Sequence, residues 1–361
     1  MDRSNVYTVT TPLTEARSAA SADGATPKEA PARPTIICMT PVKDEAWILE
    51  RFLACASTWA DEIIIADQGS TDGSREIAAR HPKVRLIENR SPQTHEAERQ
   101  ALLIAAARET PGPRFLVALD ADEAFTSNLL DSPEWASALK AAPGTVFKFQ
   151  WVNLHHDGER CWIPEWEWPW GYMDDGAPHI GFPIHSPRVP VPPGAPTRRM
   201  RDIKVLHFAH TDFPRVRSRT RWYQGWEILN KPPQRPAAMF RQYHQFGDTQ
   251  NLRRIEPQWV EGYRRAGVDI TSVHVDGRYR WDGIVLGWIV EHGALRFRRV
   301  DMWDVDWRAL APLFGVDPAR VPANPQTGID RLVLKYLRRT QGRHNRPLIR
   351  LVDRALALVG W

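Results

Sequence analysis

Short apolar runs alternate with amphipathic segments between residues 35 and 123. Four of the runs are apolar at nearly every position and predict buried strands at 35–42, 61–67, 83–90 and 114–123. The segments between them have helical spacing and predict helices at 45–58, 74–81 and 95–109. Such alternation with short links is typical of βαβ units. We therefore predict an α/β fold with a mostly parallel, doubly wound sheet.

The regular alternation ends beyond residue 123. In chain order, the pattern then predicts a helix over 127–141, a strand over 145–155, an aromatic and acidic loop over 161–175, a proline-rich segment over 183–196 and a late strand over 202–210. The next residues, 215–268, have a largely helical pattern. We divide the chain into a disordered arm without apolar period (1–34), an α/β domain (35–212), a mostly helical extension (213–327) and a basic tail (328–361).

Composition narrows the class of protein. Of the 361 residues, 42% are hydrophobic and 25% are charged, as in globular domains. The three cysteines (Cys38, Cys55 and Cys161) lack the spacing of a zinc site and fit a reducing compartment. Because we find neither a signal-peptide pattern nor an apolar run of membrane-spanning length, we expect a cytoplasmic protein, soluble or peripheral at the membrane.

Positive charge is concentrated in the tail. The net charge is +5, and residues 328–361 hold eight Lys or Arg against two Asp. The body is therefore nearly neutral, which argues against nucleic acid as a partner. Apolar residues recur at helical spacing in the tail, which ends at Trp361. Two interpretations stay open: basic amphipathic helices at a membrane surface, or helices docked on the α/β domain or on another subunit.

Acidic residues gather where three predicted strands end. Asp44 and Glu45 follow the first strand, Asp67 ends the second, and Asp120 and Asp122 follow the fourth. Ligands of open α/β sheets bind at this edge, and closely packed carboxylates repel one another unless a cation neutralises them. Residues two apart in an extended segment point the same way. We therefore predict Mg²⁺ or Mn²⁺, bound together with a phosphate-bearing ligand.

Three segments, PVKDEAWILERFL, EIIIADQGSTDGS and FLVALDADE, resemble in order and spacing the family 2 glycosyltransferases of the GT-A fold, of lipopolysaccharide or polysaccharide type. The resemblance covers residues 35–155, and Gln68 replaces the second Asp of the family signature. It implies an inverting enzyme that moves a sugar from a UDP- or GDP-type nucleotide sugar to a hydroxyl of a glycan or lipid-linked acceptor. Residues 35–125 would bind the nucleotide and 126–212 the acceptor.

The resemblance also implies roles for single residues. The donor-binding candidates are Pro41, Asp44, Asp67, Arg99 and Asp120. For Arg99, a plain surface charge on a helix is an equal alternative. The metal-binding candidates are Asp120, Asp122 and His207, whereas His210 lies too far along the chain to replace His207.

The general base and the acceptor site are harder to assign. Acids in the expected region are Glu165, Glu167, Asp174, Asp175 and Asp202. We favour Asp174 and Asp175 because the pair ends the aromatic loop. Among its indoles, Trp166, Trp168 and Trp170 are the acceptor-binding candidates, with Trp162 beside them, because an indole face can stack on a sugar ring. A hydrophobic cluster beneath the loop is the alternative.

Two other functions remain to be weighed. A degenerate, non-catalytic protein that binds glycan or acts as a scaffold is disfavoured, because the acids Asp44, Asp67, Asp120 and Asp122 are all retained. A nucleotidyltransferase usually carries a glycine-rich loop after its first strand. The corresponding segment here, PVKDEAW, contains no glycine, so this alternative is also disfavoured.

Overall fold

The computed structural model describes residues 33–91, 95–183, 186–231, 235–244, 252–273 and 277–361. The predicted arm lies outside these residues, apart from Arg33 and Pro34. The strands are β1 (Thr35–Val42), β2 (Glu62–Asp67), β3 (Val84–Glu88), β4 (Arg114–Ala118), β5 (Glu123–Phe125), β6 (Val146–Leu154), β7 (Arg160–Trp162), β8 (Glu167–Met173), β9 (Thr197–His207) and β10 (Arg253–Arg254). The helices are α1 (Ala46–Ala56), α2 (Ser74–Arg80), α3 (Glu96–Arg108), α4 (Pro133–Ala138), α5 (Phe213–Asn230), α6 (Pro236–Tyr243), α7 (Glu261–Arg265), α8 (Arg280–His292), α9 (Trp307–Leu310), α10 (Gly328–Thr340) and α11 (Pro347–Leu358).

These strands form a single sheet in the order β10-β7-β6-β8-β4-β1-β2-β3, to which β9 adds by pairing with β6 and β5 by pairing with β9. Strands β3, β2, β1 and β4 are parallel, with Met39 of β1 opposite both Ile64 and Ala118. Beyond β4 the pairing is antiparallel, except that β9 runs parallel to β6. The predicted α/β class with a parallel central sheet is confirmed, and an antiparallel half extends it.

Helices cover both faces of the parallel strands. Successive residues of β1 point to opposite faces, so Ile36 packs with one core cluster and Ile37 with another. The first cluster contains Phe52 of α1, and the second contains Leu103 of α3. The strands therefore need apolar residues on both sides, which explains their unbroken apolar runs.

The prediction of a loop over residues 161–175 is wrong. It contains β7 and β8, and β8 lies between β4 and β6. Pro169 obscures the strand pattern because a proline inside a strand normally argues against one. Here the register shifts between Phe147 and Lys148 of β6, next to Pro169. The helix predicted over 127–141 is also interrupted, because a 3₁₀ turn over Ser127–Asp131 precedes α4.

The tail is docked on the protein along its first helix. Val333, Leu334 and Leu337 of α10 are buried against α6. Trp361 is also buried in this cluster, at 2% exposure. In contrast, no residue of α11 is buried. No helix in the described part of the chain is long and apolar enough to cross a membrane.

Candidate active site

The carboxyl ends of β1, β2 and β4 meet at one edge of the sheet. Val42 of β1 pairs with Asp67 of β2, and on the other side the Leu119 N–H donates to the Met39 carbonyl at 3.1 Å. Two strand spacings, about 10 Å, separate the ends of β2 and β4. The structure therefore brings the three acidic segments to the same edge, as their sequence positions predict.

Two loops at this edge are bonded to each other. The Asp44 N–H donates to the Ser70 hydroxyl at 2.9 Å, and the Thr71 N–H donates to the Asp44 carboxylate at 2.8 Å. Asp44 has a φ of 54°, a left-handed conformation that no other non-glycine residue adopts in the described ranges. Asp tolerates this conformation better than most residues, at a cost in strain. The loop after β1 is therefore held in a defined shape against the loop after β2.

The Asp67 carboxylate is buried at the base of these loops. Its Oδ2 accepts hydrogen bonds from the N–H groups of Gly69 (3.0 Å) and Ser70 (3.1 Å) and from the Arg75 guanidinium (2.8 Å). Burial raises the pKa of Asp67, but the hydrogen bonds from Ser70 and Arg75 outweigh it, so the pKa is lowered overall. Its Oδ1 has no partner within the described residues. Asp67 is thus an ionised acceptor with one oxygen unused.

The acids after β4 share a single arginine. Arg188 forms ion pairs with the carboxylates of Asp120 and Glu123, the latter at 3.1 Å. Glu123 is buried and also accepts hydrogen bonds from the Asp120 N–H (2.9 Å) and the Trp170 indole (3.0 Å). Burial raises the pKa of Glu123 although Arg188 opposes the shift. This arrangement holds Asp120 in place, and no arginine in the described ranges forms an ion pair with Asp122.

Asp122 faces His207 across the β5–β9 pair. His207 Nε2 lies 3.7 Å from Asp122 Oδ2, and His207 Nδ1 lies 2.7 Å from the amide oxygen of Asn153. Because an amide oxygen only accepts, Nδ1 carries the proton and Nε2 keeps its lone pair. Burial lowers the pKa of His207, which keeps the ring neutral. A neutral imidazole whose other nitrogen donates to a fixed acceptor has the arrangement of a metal ligand.

This pair is the core of the candidate metal site. In the residues that the structure describes, no group of three or more His, Cys, Asp or Glu side chains is arranged around one point. The protein therefore offers Asp122 and His207 as facing donors, with Asp120 next to them. Mg²⁺ and Mn²⁺ sites commonly combine one or two carboxylates with substrate phosphates, so two protein donors fit such an ion.

Three of the five donor-binding candidates line a narrow cleft at the same edge, and Asp44 and Asp67 are not among its lining residues. Pro41, Arg99 and Asp120 contribute to it, together with Ser186 and Arg188. Arg99 comes from α3, is half-buried and forms no ion pair within the described ranges. An arginine beside a cleft and without a carboxylate partner is suited to bind an anion.

The structure corrects the prediction of Asp174 and Asp175 as the general base, because it places them at the opposite edge of the sheet. The Asp174 N–H donates to the Arg114 carbonyl at the beginning of β4. The Asp174 side chain is fully buried, and Arg108 and Arg114 bind its two oxygens at 2.9 and 2.8 Å. Burial raises the pKa of Asp174, but the hydrogen bonds from both arginines outweigh it and lower the pKa. Its carboxylate is occupied in holding the fold together.

The structure also corrects the prediction of Trp170 as an acceptor-binding residue, because Trp170 is buried. The other two candidates, Trp166 and Trp168, are exposed. Trp170 is 2% exposed and packs in the main core. Trp166 and Trp168 are 59% and 38% exposed. The structure does not bring Trp166 into contact with the acids after β4.

The helical extension contributes residues that sequence analysis missed. Arg215 of α5 pairs with Glu45 at 2.6 Å and lies over the Trp47 and Trp281 rings. Arg280 of α8 donates to the Lys43 carbonyl and the Asp44 carboxylate. The helical pattern of these segments gives no sign of what they contact, because the contacts join residues that are far apart in the sequence.

Part of the chain is similar to known proteins. Residues 37–146 match the model of a family described as "Glycosyl transferase family 2". No curated protein sequence matches significantly. One similar solved structure is glucosyl-3-phosphoglycerate synthase from Mycobacterium tuberculosis in complex with Mn²⁺, UDP and glucosyl-3-phosphoglycerate (20% identity, TM-score 0.25). Another is 4-diphosphocytidyl-2C-methyl-D-erythritol synthase (13% identity, TM-score 0.24). The matches cover 33% of this chain and, respectively, 44% and 61% of those chains, less than two thirds of either.

Proposed function

We propose that this chain, whose residues 37–146 form a family 2 glycosyltransferase domain, moves a sugar from a nucleotide diphosphate donor to a hydroxyl of a glycan or lipid-linked acceptor, with inversion. The observation that carries the proposal is the meeting of Asp67, Asp120 and Asp122 at one sheet edge. The adjoining cleft is lined by Pro41 and Arg99. A single ligand with a base at one end and a diphosphate at the other matches this layout.

The nucleotide end of the donor belongs at β2. Uracil and guanine both present a ring N–H, and the unused oxygen of Asp67 is an ionised acceptor. Asp44, held in its left-handed conformation, stands beside it. The guanidinium of Arg99 would then bind the diphosphate in the cleft. This assignment accommodates either a UDP- or a GDP-type donor.

The diphosphate end belongs at the Asp122–His207 pair. We propose that Asp122 and His207 hold Mg²⁺ or Mn²⁺ and that Asp120 orients toward the same ion. When bound, such an ion offsets the negative charge that the departing nucleotide diphosphate develops. Arg188 keeps Asp120 in position, and Asn153 keeps the His207 lone pair directed at Asp122.

The donor proposal is tested by nucleotide binding. Thermal stability is measured with UDP, GDP and their sugars, each with and without Mn²⁺. We expect stabilisation by one nucleotide, and by more when metal is present. Arg99→Ala should weaken nucleotide binding about tenfold, which corresponds to one charge-assisted contact. Arg265→Ala, an exposed arginine in a different cleft, is the matched control. Absence of binding to every nucleotide would refute the proposal.

We further propose that α11 rests on an anionic membrane surface at the cytoplasmic face. Leu348, Leu351 and Leu358 are 71%, 62% and 89% exposed, and Arg350 and Arg354 lie between them. Exposed leucines on a helix that also carries arginines are typical of interfacial helices. Another face of α11 packs on α6, through Leu356 and the Arg241–Asp353 ion pair, and leaves these leucines exposed.

Sedimentation with vesicles tests the membrane proposal. The chain should bind vesicles that contain phosphatidylglycerol and should bind pure phosphatidylcholine vesicles more weakly. Leu351→Asp with Leu358→Asp should release the protein, because each change replaces an apolar contact by a charge of the wrong sign. Leu313→Asp, at an exposed leucine outside the tail, is the control. Equal binding by the variant would favour α11 as a protein-docking helix.

A further inference from the structure

Aromatic and imidazole rings continue outward from His207. Trp151 stacks on His207 at 4.3 Å between ring centroids, and His210 meets His207 edge-on at 5.8 Å. Trp162 lies 4.9 Å from His210. A second pair of rings, His156 and Phe213, has its centroids 5.8 Å apart. We call Trp162, His210, His156 and Phe213 the ring wall.

Strand register places the ring wall next to the candidate metal site. Asn153 of β6 is paired with Trp162 of β7 on one side and with His207 of β9 on the other. His156 follows the end of β6, His210 follows the end of β9, and Phe213 begins α5. Two parts of the chain, residues 156–162 and 210–213, therefore come together beside His207, which faces Asp122. Such convergence on strand ends is how α/β folds build ligand sites.

The ring wall differs from the aromatic residues of the main core. Phe125 and Phe149 of the core are fully buried and pack against other rings. In the ring wall, Phe213 is 45% exposed, His156 is exposed and Trp162 is partly exposed. His210 Nδ1 is buried without a hydrogen-bond partner in the described part of the chain. A purely structural cluster would bury its apolar faces and satisfy its polar atoms.

We infer that the ring wall is the acceptor subsite and that the acceptor group it binds is a carbohydrate ring. The inference rests on the proposed function, which places the donor at the adjoining edge. A sugar has an apolar C–H face that stacks on indole or imidazole and a rim of hydroxyls that bonds to ring nitrogens. An acyl chain would leave those ring nitrogens unpaired in an apolar contact. This assignment replaces Trp170 with Trp162 as the principal acceptor-binding indole.

Glycan binding tests the inference separately from donor binding. The full chain, saturated with UDP and Mn²⁺, is applied to an immobilised panel of oligosaccharides, and the affinity for the best-bound member is then measured in solution. We expect Trp162→Ala to weaken glycan affinity about tenfold, as loss of one ring contact would. Trp162→Phe keeps a ring and should retain most of the affinity. Trp226→Ala, at an exposed indole of α5 outside the ring wall, should change nothing.

The outcomes separate the two proposals. Nucleotide binding is measured on every variant and should be unaffected, which also shows that each variant is folded. If Trp162→Ala and Trp162→Phe both bind glycan as the unmodified chain does, the inference is overturned. Binding of nucleotide but of no oligosaccharide would also overturn it while leaving the donor proposal intact. Failure to bind any nucleotide would instead refute the proposed function.

Discussion

The two ends of β4 carry acidic side chains with opposite charge environments. At the amino end, the Asp174 side chain is fully buried and two arginines, Arg108 and Arg114, bind its two oxygens. At the carboxyl end, Asp120 and Asp122 are 27% and 18% exposed as side chains. Among the described residues, Arg188 is the arginine that forms ion pairs with Asp120 and Glu123, whereas Arg219 and Arg215 act on Asp122 electrostatically without an ion pair.

This difference separates a carboxylate that is neutralised within the fold from carboxylates whose charge is available to bind a ligand. A buried carboxylate with two arginines is stable by itself, and a ligand would have to compete with both of them. Burial raises the pKa of Asp122 and the Asp120 carboxylate raises it further, although Arg219, Arg215 and Arg188 oppose the shift. Carboxylates with perturbed pKa values are typical of functional sites. We therefore propose that the carboxyl end of β4 carries the chemistry and that Asp174 at the amino end stabilises the fold.

The strongest test of the comparison is Asp122→Asn. We expect turnover of the nucleotide sugar to fall by about 10²–10³-fold or more, the cost of losing one charge-stabilising group in an active site. The thermal midpoint should change little, because removing one of several repelling charges does not cost stability. The control is Asp175→Asn, an exposed acid at the amino end. If Asp175→Asn abolished turnover and Asp122→Asn did not, the assignment of the two ends would be reversed.

The converse experiment changes Asp174 to Asn. Breaking a fully buried ion pair costs about 3–5 kcal/mol, and partial exposure of Arg108 and Arg114 reduces this to about 2–4 kcal/mol. Urea denaturation should therefore show a lower free energy of unfolding. Turnover per folded molecule should remain that of the unmodified chain. A loss of turnover without a loss of stability would restore Asp174 as a candidate general base.

The pH dependence of this stability has a definite sign. The folded protein lowers the pKa of Asp174 below the ordinary Asp value of about 3.9, since its two arginines outweigh the effect of burial. A group with a lowered folded pKa contributes stability above its unfolded pKa and loses it as the pH falls through the folded pKa. The stability gap between the unmodified chain and Asp174→Asn should be constant from pH 8 to about 5 and shrink below about 4. A gap that widened in acid would contradict the ion-pair assignment.

The parallel half of the fold was predictable because each of its elements is specified locally. Apolar runs bounded by turn residues gave β1 over the same residues as the structure and α1 to within two residues at each end. The carboxyl ends of parallel strands necessarily share an edge, so the grouping of Asp67 with Asp120 followed from topology. This part of the site required no knowledge of distant contacts.

The rest of the site depends on contacts that local pattern does not encode. We favoured Asp174, with Asp175, as the general base because the pair ends the aromatic segment 161–175. That segment contains β8, which runs antiparallel to β4, so its last residues arrive at the opposite edge. Arg188 comes from a proline-rich segment without any periodic pattern, and Asn153 orients His207 across neighbouring strands. Positions of this kind are fixed by tertiary packing and not by spacing.

The smallest expected effect on stability is that of substituting Trp170, which lies in β8, next to β4 in the sheet. Trp170→Phe preserves most of the buried ring but removes the hydrogen bond from the indole to the buried Glu123 carboxylate. A hydrogen bond to a charged group contributes about 1.5–3 kcal/mol, so the free energy of unfolding should fall by about that amount. Glycan affinity should be unaffected, because a side chain that is 2% exposed offers no face to a sugar. If Trp170→Phe instead weakened glycan binding while stability was unchanged, then Trp170 would have to reach the acceptor. The carboxyl end of β4 would then hold acceptor as well as donor.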